Sequence, residues 1–166
     1  MKAQYLVAIT LLLYSNYAVA QLSKGVGETK SVPNTSCQIY VPQHFEIKTG
    51  EAPGVIHKAS GTFIVFVKVP DNQPYNIDTG LSKSFFEEDS RMQVEYYQEE
   101  DSNELVKREG RLYRTKYKLQ GHDFERLTML IEHDRERYLL IGNYAAVFKN
   151  QVEEEVLQVI SSINLN

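Results

Sequence analysis

The C-terminal half of the chain has three successive strand-like runs, the first two alternating apolar and polar residues, separated by two short polar turns. The runs cover 111–119, 124–132 and 138–146, and the turns cover 121–123 and 133–136. Alternation places the apolar side chains of a strand on one face, and tight polar turns join strands that run in opposite directions. This segment therefore predicts an antiparallel meander, and any fold proposed for the chain must contain it.

A helical period follows the meander. Apolar residues from Phe148 to Ile163 recur at steps of three and four, which places them on one face of a helix with about 3.6 residues per turn. Asn150 followed by Glu153 fits a capping pair at the start of a helix. We expect this amphipathic helix to bury its apolar stripe against the sheet.

The N-terminal half supplies the remaining elements. Thr62–Val69 is apolar on both faces, which is typical of a central strand covered on both sides. Short apolar runs near Ile39 and Val55 predict further strands, and Leu81–Arg91 predicts a mid-chain helix. We therefore predict the α+β class, with an antiparallel sheet of about six strands on which the mid-chain helix and the C-terminal amphipathic helix pack.

The first residues have the features of a secretory signal peptide. Lys2 precedes an apolar run from Tyr5 to Tyr14, and the small-residue motif Ala-Val-Ala ends at Ala20. The run is too short to cross a bilayer as a helix, so we expect no membrane span in the mature chain. The predicted division is a signal peptide (1–20), a flexible leader (21–37) and a single α+β domain (38–166). The predicted location is the periplasm or the exterior.

The cysteine count and the net charge limit the kinds of site and partner that we expect for this chain. The chain has one cysteine, Cys37, so an intramolecular disulfide is excluded. Two alternatives stay open for its thiol, a buried structural position and an exposed position that dimerises or reacts. The formal net charge of −4 provides no general attraction for nucleic acid, so we expect no nucleic-acid partner.

No motif for catalysis or for a cofactor is found. The four histidines do not have zinc-site spacing, and a nucleophile elbow and a phosphate loop are both missing. The His-Asp pairs 122–123 and 133–134 fall in adjacent turns, where solvated residues are expected and a surface metal or acid–base site is the alternative. The acidic runs 87–89 and 99–101 are expected to be solvated faces. We predict a protein that is not an enzyme, with no cofactor and no metal site.

Positive charge is concentrated from Lys107 to Lys118 in an otherwise acidic chain. One interpretation is a solvated strand face with cross-strand partners such as Glu132. The other is a docking patch for an acidic protein or an anionic ligand. The candidate patch consists of Arg111, Arg114, Lys116 and Lys118, of which the last three should share one face of a strand.

Three stretches carry a family resemblance. They are Ile-Tyr-Val-Pro at 39–42, the hairpins from Arg111 through Ala146, and Val152–Leu165 with its Ser-Ile-Asn end. In this order they resemble the PsbP-like, or Mog-type, α/β/α sandwich superfamily over most of residues 38–165. The resemblance implies an exported bacterial member of a mostly non-catalytic group, which includes extrinsic subunits of photosynthetic complexes and adaptors that bind partner proteins. It carries over no functional residue.

These observations together predict a non-catalytic exported accessory or protein-binding protein of the cell envelope, with an envelope protein as its candidate partner. The first alternative is a small-ligand carrier with a pocket between the sheet and a helix. The second is a small hydrolase assembled from a histidine and distant carboxylates. The identity of the partner and the oligomeric state do not follow from the sequence.

Overall fold

A computed structural model describes five stretches of the chain. They are residues 27–70, 83–88, 92–101, 110–133 and 136–165, with the backbone alone for Phe85 and His133. The predicted signal peptide and the beginning of the predicted leader lie outside the described residues. No helix within the described stretches is long and apolar enough to span a bilayer.

Strands dominate the described residues. The elements in chain order are β1 (Gly27–Ser31), β2 (Cys37–Pro42), β3 (Phe45–Lys48), β4 (Gly54–His57), β5 (Phe63–Lys68), α1 (Lys83–Glu87), β6 (Gln93–Asp101), β7 (Arg111–Leu119), β8 (His122–His133), β9 (Glu136–Ala145), a 3₁₀ turn (Ala146–Phe148), α2 (Lys149–Ser161) and β10 (Asn164–Leu165).

The strands form two antiparallel sheets. The larger has seven strands in the order β3-β4-β5-β9-β8-β7-β6, and the smaller has three in the order β1-β2-β10. Strands β7, β8 and β9 are the meander that the alternation predicts. The central strand β5 joins the N-terminal hairpins to this meander by pairing with β9.

The predicted fold class is wrong. The described chain is mostly β, with sheets of three and seven strands, where we expected one sheet of about six strands with a mid-chain helix. Of the predicted mid-chain helix, residues 83–88 are described and Lys83–Glu87 is helical, and the one long helix among the described residues is α2. Alternation of hydropathy detects strands with one buried face, so it misses polar edge strands such as β1, which lies within the predicted leader.

Helix α2 covers one face of the seven-stranded sheet, which we call the helix face. Its buried residues are Val152, Val156, Val159 and Ile160, which confirms the predicted apolar stripe. Gly142 of β9 lies beneath the helix, and a Cβ atom there would be 2.9 Å from Cγ1 of Val156. Glycine therefore allows the close approach of helix and sheet. The capping prediction is wrong, because Phe148 occupies the N-cap position and no side chain caps the helix.

The small sheet completes the cover of the helix face. Strand β2 contributes Cys37, Ile39 and Val41 to the main apolar core. The Tyr40 N–H donates a hydrogen bond of 2.8 Å to Oγ of Ser162, just beyond α2. The thiol of Cys37 is buried, which decides between the two alternatives left open by the sequence.

The other side of the seven-stranded sheet, which we call the opposite face, has an apolar cluster of its own. Val69, Phe86, Tyr113 and Leu139 are buried there. The Phe86 ring of α1 lies 5.7 Å from the ring of Tyr97 and 6.3 Å from the ring of Tyr113. The sheet is therefore packed on both sides, and each of its faces can hold a distinct set of polar residues.

Candidate functional site

The four residues of the candidate docking patch all lie on β7, but they point to different faces. Arg114, Lys116 and Lys118 alternate with the opposite-face residues Tyr113 and Tyr117, so they share the helix face. Arg111 has the other parity, is 69% exposed at its side chain and forms an ion pair with Glu99. The docking role of these residues stays a prediction, and their surroundings differ strongly.

Arg114 is the most enclosed member of the patch, with only 12% of its side chain exposed. Its Nε atom donates a hydrogen bond of 3.0 Å to Glu100 of β6. Its Nη1 atom lies 3.3 Å from Oε2 of Glu125 on β8 and also donates to Glu153 of α2. One guanidinium therefore binds carboxylates from two neighbouring strands and from the helix above them.

The same carboxylates bind a second set of partners. Glu125 is 5% exposed at its side chain and accepts a hydrogen bond of 2.8 Å from Nζ of Lys149 at the start of α2. The Tyr144 hydroxyl on β9 donates to Glu153 at 3.0 Å. We call this set the ion-pair cluster; it consists of Glu100, Arg114, Glu125, Tyr144, Lys149 and Glu153.

Three members of the ion-pair cluster have shifted pKa values. Burial alone would lower the pKa of Arg114, but the hydrogen bonds that it donates to Glu153 and Glu100 outweigh burial and raise that pKa. Burial likewise would raise the pKa of Glu153, but Arg114 outweighs it and lowers that pKa. Burial and the nearby carboxylates raise the pKa of Tyr144. The pKa values of Arg114, Glu153 and Tyr144 are therefore all shifted further from neutral pH.

The two lysines of the candidate patch are more exposed than Arg114. The Lys116 ammonium lies 5.2 Å from the ring centroid of Tyr96 and 3.9 Å from a carboxylate oxygen of Glu125. Lys118 lies between Glu95 at 2.6 Å and Asp123 at 3.3 Å. We call this surface the open face; it consists of Glu95, Tyr96, Lys116, Lys118 and Asp123.

Cross-strand pairing within the sheet explains what the sequence interpretation missed. The predicted partner Glu132 pairs with Arg137 in the strand register, whereas the patch residues bind carboxylates of β6, β8 and α2. The run 99–101 was predicted to be solvated, yet Glu99 and Glu100 bind Arg111 and Arg114. An acidic run and a basic run on either side of a connecting segment are the signal of such a hairpin. Lys107 and Arg108 lie outside the described residues.

The histidines with described side chains form no reactive group. Nδ1 of His57 lies 2.8 Å from Oγ of Ser60 and accepts the Ser60 N–H, while that hydroxyl donates to Thr62. These bonds close the turn between β4 and β5. Burial lowers the pKa of His57, and the His44 ring lies 6.0 Å away. No group of three or more metal-binding side chains occurs among the described residues.

A second arginine, Arg126 of β8, lies on the opposite face and was not singled out by the sequence. Its Nε atom is 3.5 Å from Oδ1 of Asn143, which also accepts a hydrogen bond of 2.5 Å from the Tyr117 hydroxyl. The guanidinium carbon lies 5.2 Å from the centroid of the Tyr117 ring. Within the described part of the chain, no carboxylate lies within ion-pair distance of Arg126.

Two threonines flank Arg126 on the opposite face. Thr115 is its direct partner in the register between β7 and β8, and Thr128 is two residues further along β8. Thr115 is 0% exposed and Thr128 is 1% exposed. The hydroxyl oxygens of both are buried and have no hydrogen-bond partner within the described stretches. We call Thr115, Tyr117, Arg126, Thr128 and Asn143 the Arg126 site.

Comparison with known proteins identifies the fold. No protein-family model matches the sequence, and no curated protein matches it. Among solved structures, the solution structure of cyanobacterial PsbP (CyanoP) from Synechocystis sp. PCC 6803 is similar, with a TM-score of 0.51 and 9% sequence identity. The alignment covers 86% of this chain and 96% of the cyanobacterial one. The chain has a PsbP-like fold. At this identity, the similarity shows the fold alone.

Proposed function

We propose that this protein is a non-catalytic, exported accessory protein of the cell envelope that binds another protein through the open face. The observation that carries the proposal is the open face itself. There an aromatic ring and two lysine side chains are accessible to solvent next to one another on strands β6 and β7. Tyr96 is 38% exposed, and the side chains of Lys116 and Lys118 are 46% and 40% exposed.

The chemistry of the open face suits a protein partner. Tyrosine combines a large apolar ring with a polar tip, and such residues are enriched where proteins bind each other. Lys116 and Lys118 lie beside Glu95 and Asp123, so the surface has mixed charge. Mixed charge around an aromatic residue favours a partner with an arrangement of complementary charges over a uniformly charged polymer.

The PsbP-like fold gives a second line of support. The superfamily that the sequence resembles is mostly non-catalytic, and its members include adaptors that bind partner proteins. The ion-pair cluster ties β6, β7 and β8 together next to the open face. A rigid surface on a fold without a reactive centre is what an accessory protein needs.

The test is capture of a partner from the native envelope. We would express the tagged mature protein in its own host, cross-link it mildly and identify the proteins that copurify. The variant Lys116→Glu/Lys118→Glu reverses the two exposed charges. The matched control Lys30→Glu/Lys58→Glu reverses two exposed, ion-paired lysines outside the open face.

We expect a reproducible partner that the control retains and that the open-face variant loses. Tyr96→Ser should weaken capture as well, because it removes the exposed ring without changing the charge. A partner that all variants retain equally would contradict the role of the open face. If the wild-type protein captures no partner, the accessory function itself is refuted.

A further inference from the structure

Strand β1 forms one edge of the three-stranded sheet, and its outer side has no strand neighbour among the described residues. Gly27, Glu28, Thr29 and Ser31 are exposed, and Lys30 is half-buried. An exposed edge strand offers a row of backbone N–H and C=O groups to another strand, and proteins usually protect such edges. The outer side of β1 is therefore a place where a further strand can pair.

The hydrogen bonds between β1 and β2 show which backbone groups of β1 point outward. The Val32 N–H donates to the carbonyl oxygen of Cys37 at 2.9 Å, and the register of the two strands places these residues opposite each other. Opposed residues of antiparallel strands alternate between hydrogen-bonded and non-hydrogen-bonded pairs. Gly27, Thr29 and Ser31 are therefore in non-hydrogen-bonded pairs with β2, and their N–H and C=O groups point away from it.

The residue opposite Thr29 supports this assignment. It is Tyr40, and its N–H donates to Oγ of Ser162 on the far side of β2 and not to β1. Pairs of this kind leave both residues with backbone groups that point outward from the two strands. The central residue of β1 is therefore ready to pair with a strand on its outer side.

The other outer strands of the two described sheets have features that hinder pairing with a second copy. Strand β10 has two residues and β3 has four, and short edges pair weakly. Strand β6 has an irregular register, and it carries four carboxylates and no basic residue, so two copies of it would repel each other. Strand β1 has a regular register and no proline, and it contains one acidic and one basic residue.

The charges of β1 are complementary to those of a second β1. If two copies pair in antiparallel fashion about a two-fold axis at Thr29, each Glu28 lies opposite the partner's Lys30. In this register Gly27 lies opposite the partner's Ser31, so the hydrogen-bonded pairs use the backbone groups that point outward. Glu28 and Lys30 are 69% and 38% exposed at their side chains and lie 2.6 Å apart within one chain, so both can contact the partner.

We propose that β1 pairs with β1 of a second copy of this chain, which joins two three-stranded sheets into one continuous sheet across a two-fold axis. Backbone hydrogen bonds hold the strands together, and the cross-strand contacts between Glu28 and Lys30 fix the register. A groove of about 390 Å³ adjoins these two residues, which leaves room for side chains of the second copy. Strand β1 contributes no residue to the open face, so self-association and partner capture are tested separately.

The experiment measures the mass of the mature protein by sedimentation equilibrium from about 10 μM to about 1 mM, the range in which small, transient interfaces associate. Glu28→Lys and Lys30→Glu each reverse one charge, and Glu28→Lys/Lys30→Glu exchanges the two. Thr29→Pro removes an outward-pointing N–H and leaves the hydrogen bonds to β2 in place. The control Lys83→Glu reverses one charge at an exposed ion pair of α1. Circular dichroism checks that each variant is folded.

We expect a dimer for the wild-type protein, the control and the variant with exchanged charges. Glu28→Lys places lysine opposite lysine at both symmetry-related contacts, and Lys30→Glu places glutamate opposite glutamate. Each should weaken dimerisation roughly tenfold or more. An equimolar mixture of these two variants should dimerise, because opposite charges then face each other across the interface. Thr29→Pro should weaken dimerisation as well, because the central pair loses its N–H donors.

A wild-type protein that stays monomeric over the whole concentration range would overturn the proposal. A dimer that neither the single charge reversals nor Thr29→Pro weakens would also overturn it, because another surface would then join the two copies. If the mixture of Glu28→Lys and Lys30→Glu associates no more tightly than either variant alone, Glu28 does not lie opposite the partner's Lys30 and the proposed pairing is wrong.

Discussion

Arg114 and Arg126 lie on adjacent strands of one sheet, on its two faces, and they have opposite surroundings. Arg114 binds three carboxylates from β6, β8 and α2. Arg126 has an amide oxygen at 3.5 Å, an aromatic ring and two threonine hydroxyls without partners. The fold supplies counter-charges to Arg114 on the helix face, whereas no described residue supplies one to Arg126 on the opposite face. The same type of side chain therefore joins three elements in one place, and in the other it rests against an amide oxygen and an aromatic ring.

The largest expected difference is in stability. Arg114→Met would leave Glu100, Glu125 and Glu153 without their common partner, and breaking a buried ion pair in this way costs about 3–5 kcal/mol. Arg126→Met leaves no described charge unpaired, so we expect a loss below about 1 kcal/mol. Urea unfolding followed by circular dichroism measures both free energies.

The exposed Arg111 is the control for this pair of variants. Its ion pair with Glu99 is solvent-exposed, so Arg111→Met should cost at most about 1 kcal/mol. Equal losses for Arg114→Met and Arg126→Met would break the comparison, because the two arginines would then have equal structural roles.

The next largest expected change in stability is at the buried threonines. For Thr128 the change is a gain in stability and not a loss. Thr128→Val removes a hydroxyl that has no partner within the described stretches and keeps the shape of the side chain, so it should raise the free energy of unfolding by about 1 kcal/mol. Thr62 is equally buried, but its hydroxyl is hydrogen-bonded to Ser60 at 2.7 Å. Thr62→Val should therefore lower the free energy of unfolding by about 1 kcal/mol. Differential scanning calorimetry compares the two, and a loss of stability in both variants would contradict the assignment.

The pH dependence of the free energy of unfolding gives a third test of the comparison between the two faces. The pKa of Glu153 is lowered in the folded state, so its contribution to stability is present above its ordinary value of 4.5 and is lost as the pH falls below it. Glu136 contributes in the same direction, because hydrogen bonds from Lys68, Ser36 and Tyr138 lower its pKa to about 2.

We therefore expect the free energy of unfolding to fall as the pH decreases from 4.5 towards 2. In Glu153→Gln this fall should be shallower, with Glu136 still contributing, and in Arg126→Gln it should be unchanged. Urea unfolding at a series of pH values measures these slopes. The account would be contradicted if Arg126→Gln altered this slope and Glu153→Gln did not. The acid-sensitive ion pair would then lie on the opposite face and not on the helix face.

The sequence predicted the elements with strong periodicity and missed those without it. The meander and the buried stripe of α2 follow from alternation and from a helical period. Strand β1 and the acidic half of β6 have no apolar face, so only their pairing with β2 and β7 makes them strands. The prediction of a mid-chain helix rested on a few apolar residues. Short elements also bury such residues, so these residues alone do not indicate a long helix.

The candidate site was predictable in part for a related reason. The basic residues of β7 could be found from the sequence as a concentration of charge. Their neutralisation depends on the register that brings Glu100 and Glu125 to Arg114, and on the position of α2, which brings Glu153. Arg126 is the one basic residue in the run 124–132, so no local concentration of charge identifies it. Its significance comes from what is missing around it in three dimensions.

The most direct test of the contrast between the two faces records both arginines in one spectrum. The Arg114 Nε–H donates to Glu100 at 3.0 Å inside the ion-pair cluster, and the Arg126 Nε–H faces Asn143 at 3.5 Å. We predict that the Nε–H of Arg114 exchanges its hydrogen with water markedly more slowly than that of Arg126. Equal exchange rates, or slower exchange at Arg126, would contradict the contrast between the two faces.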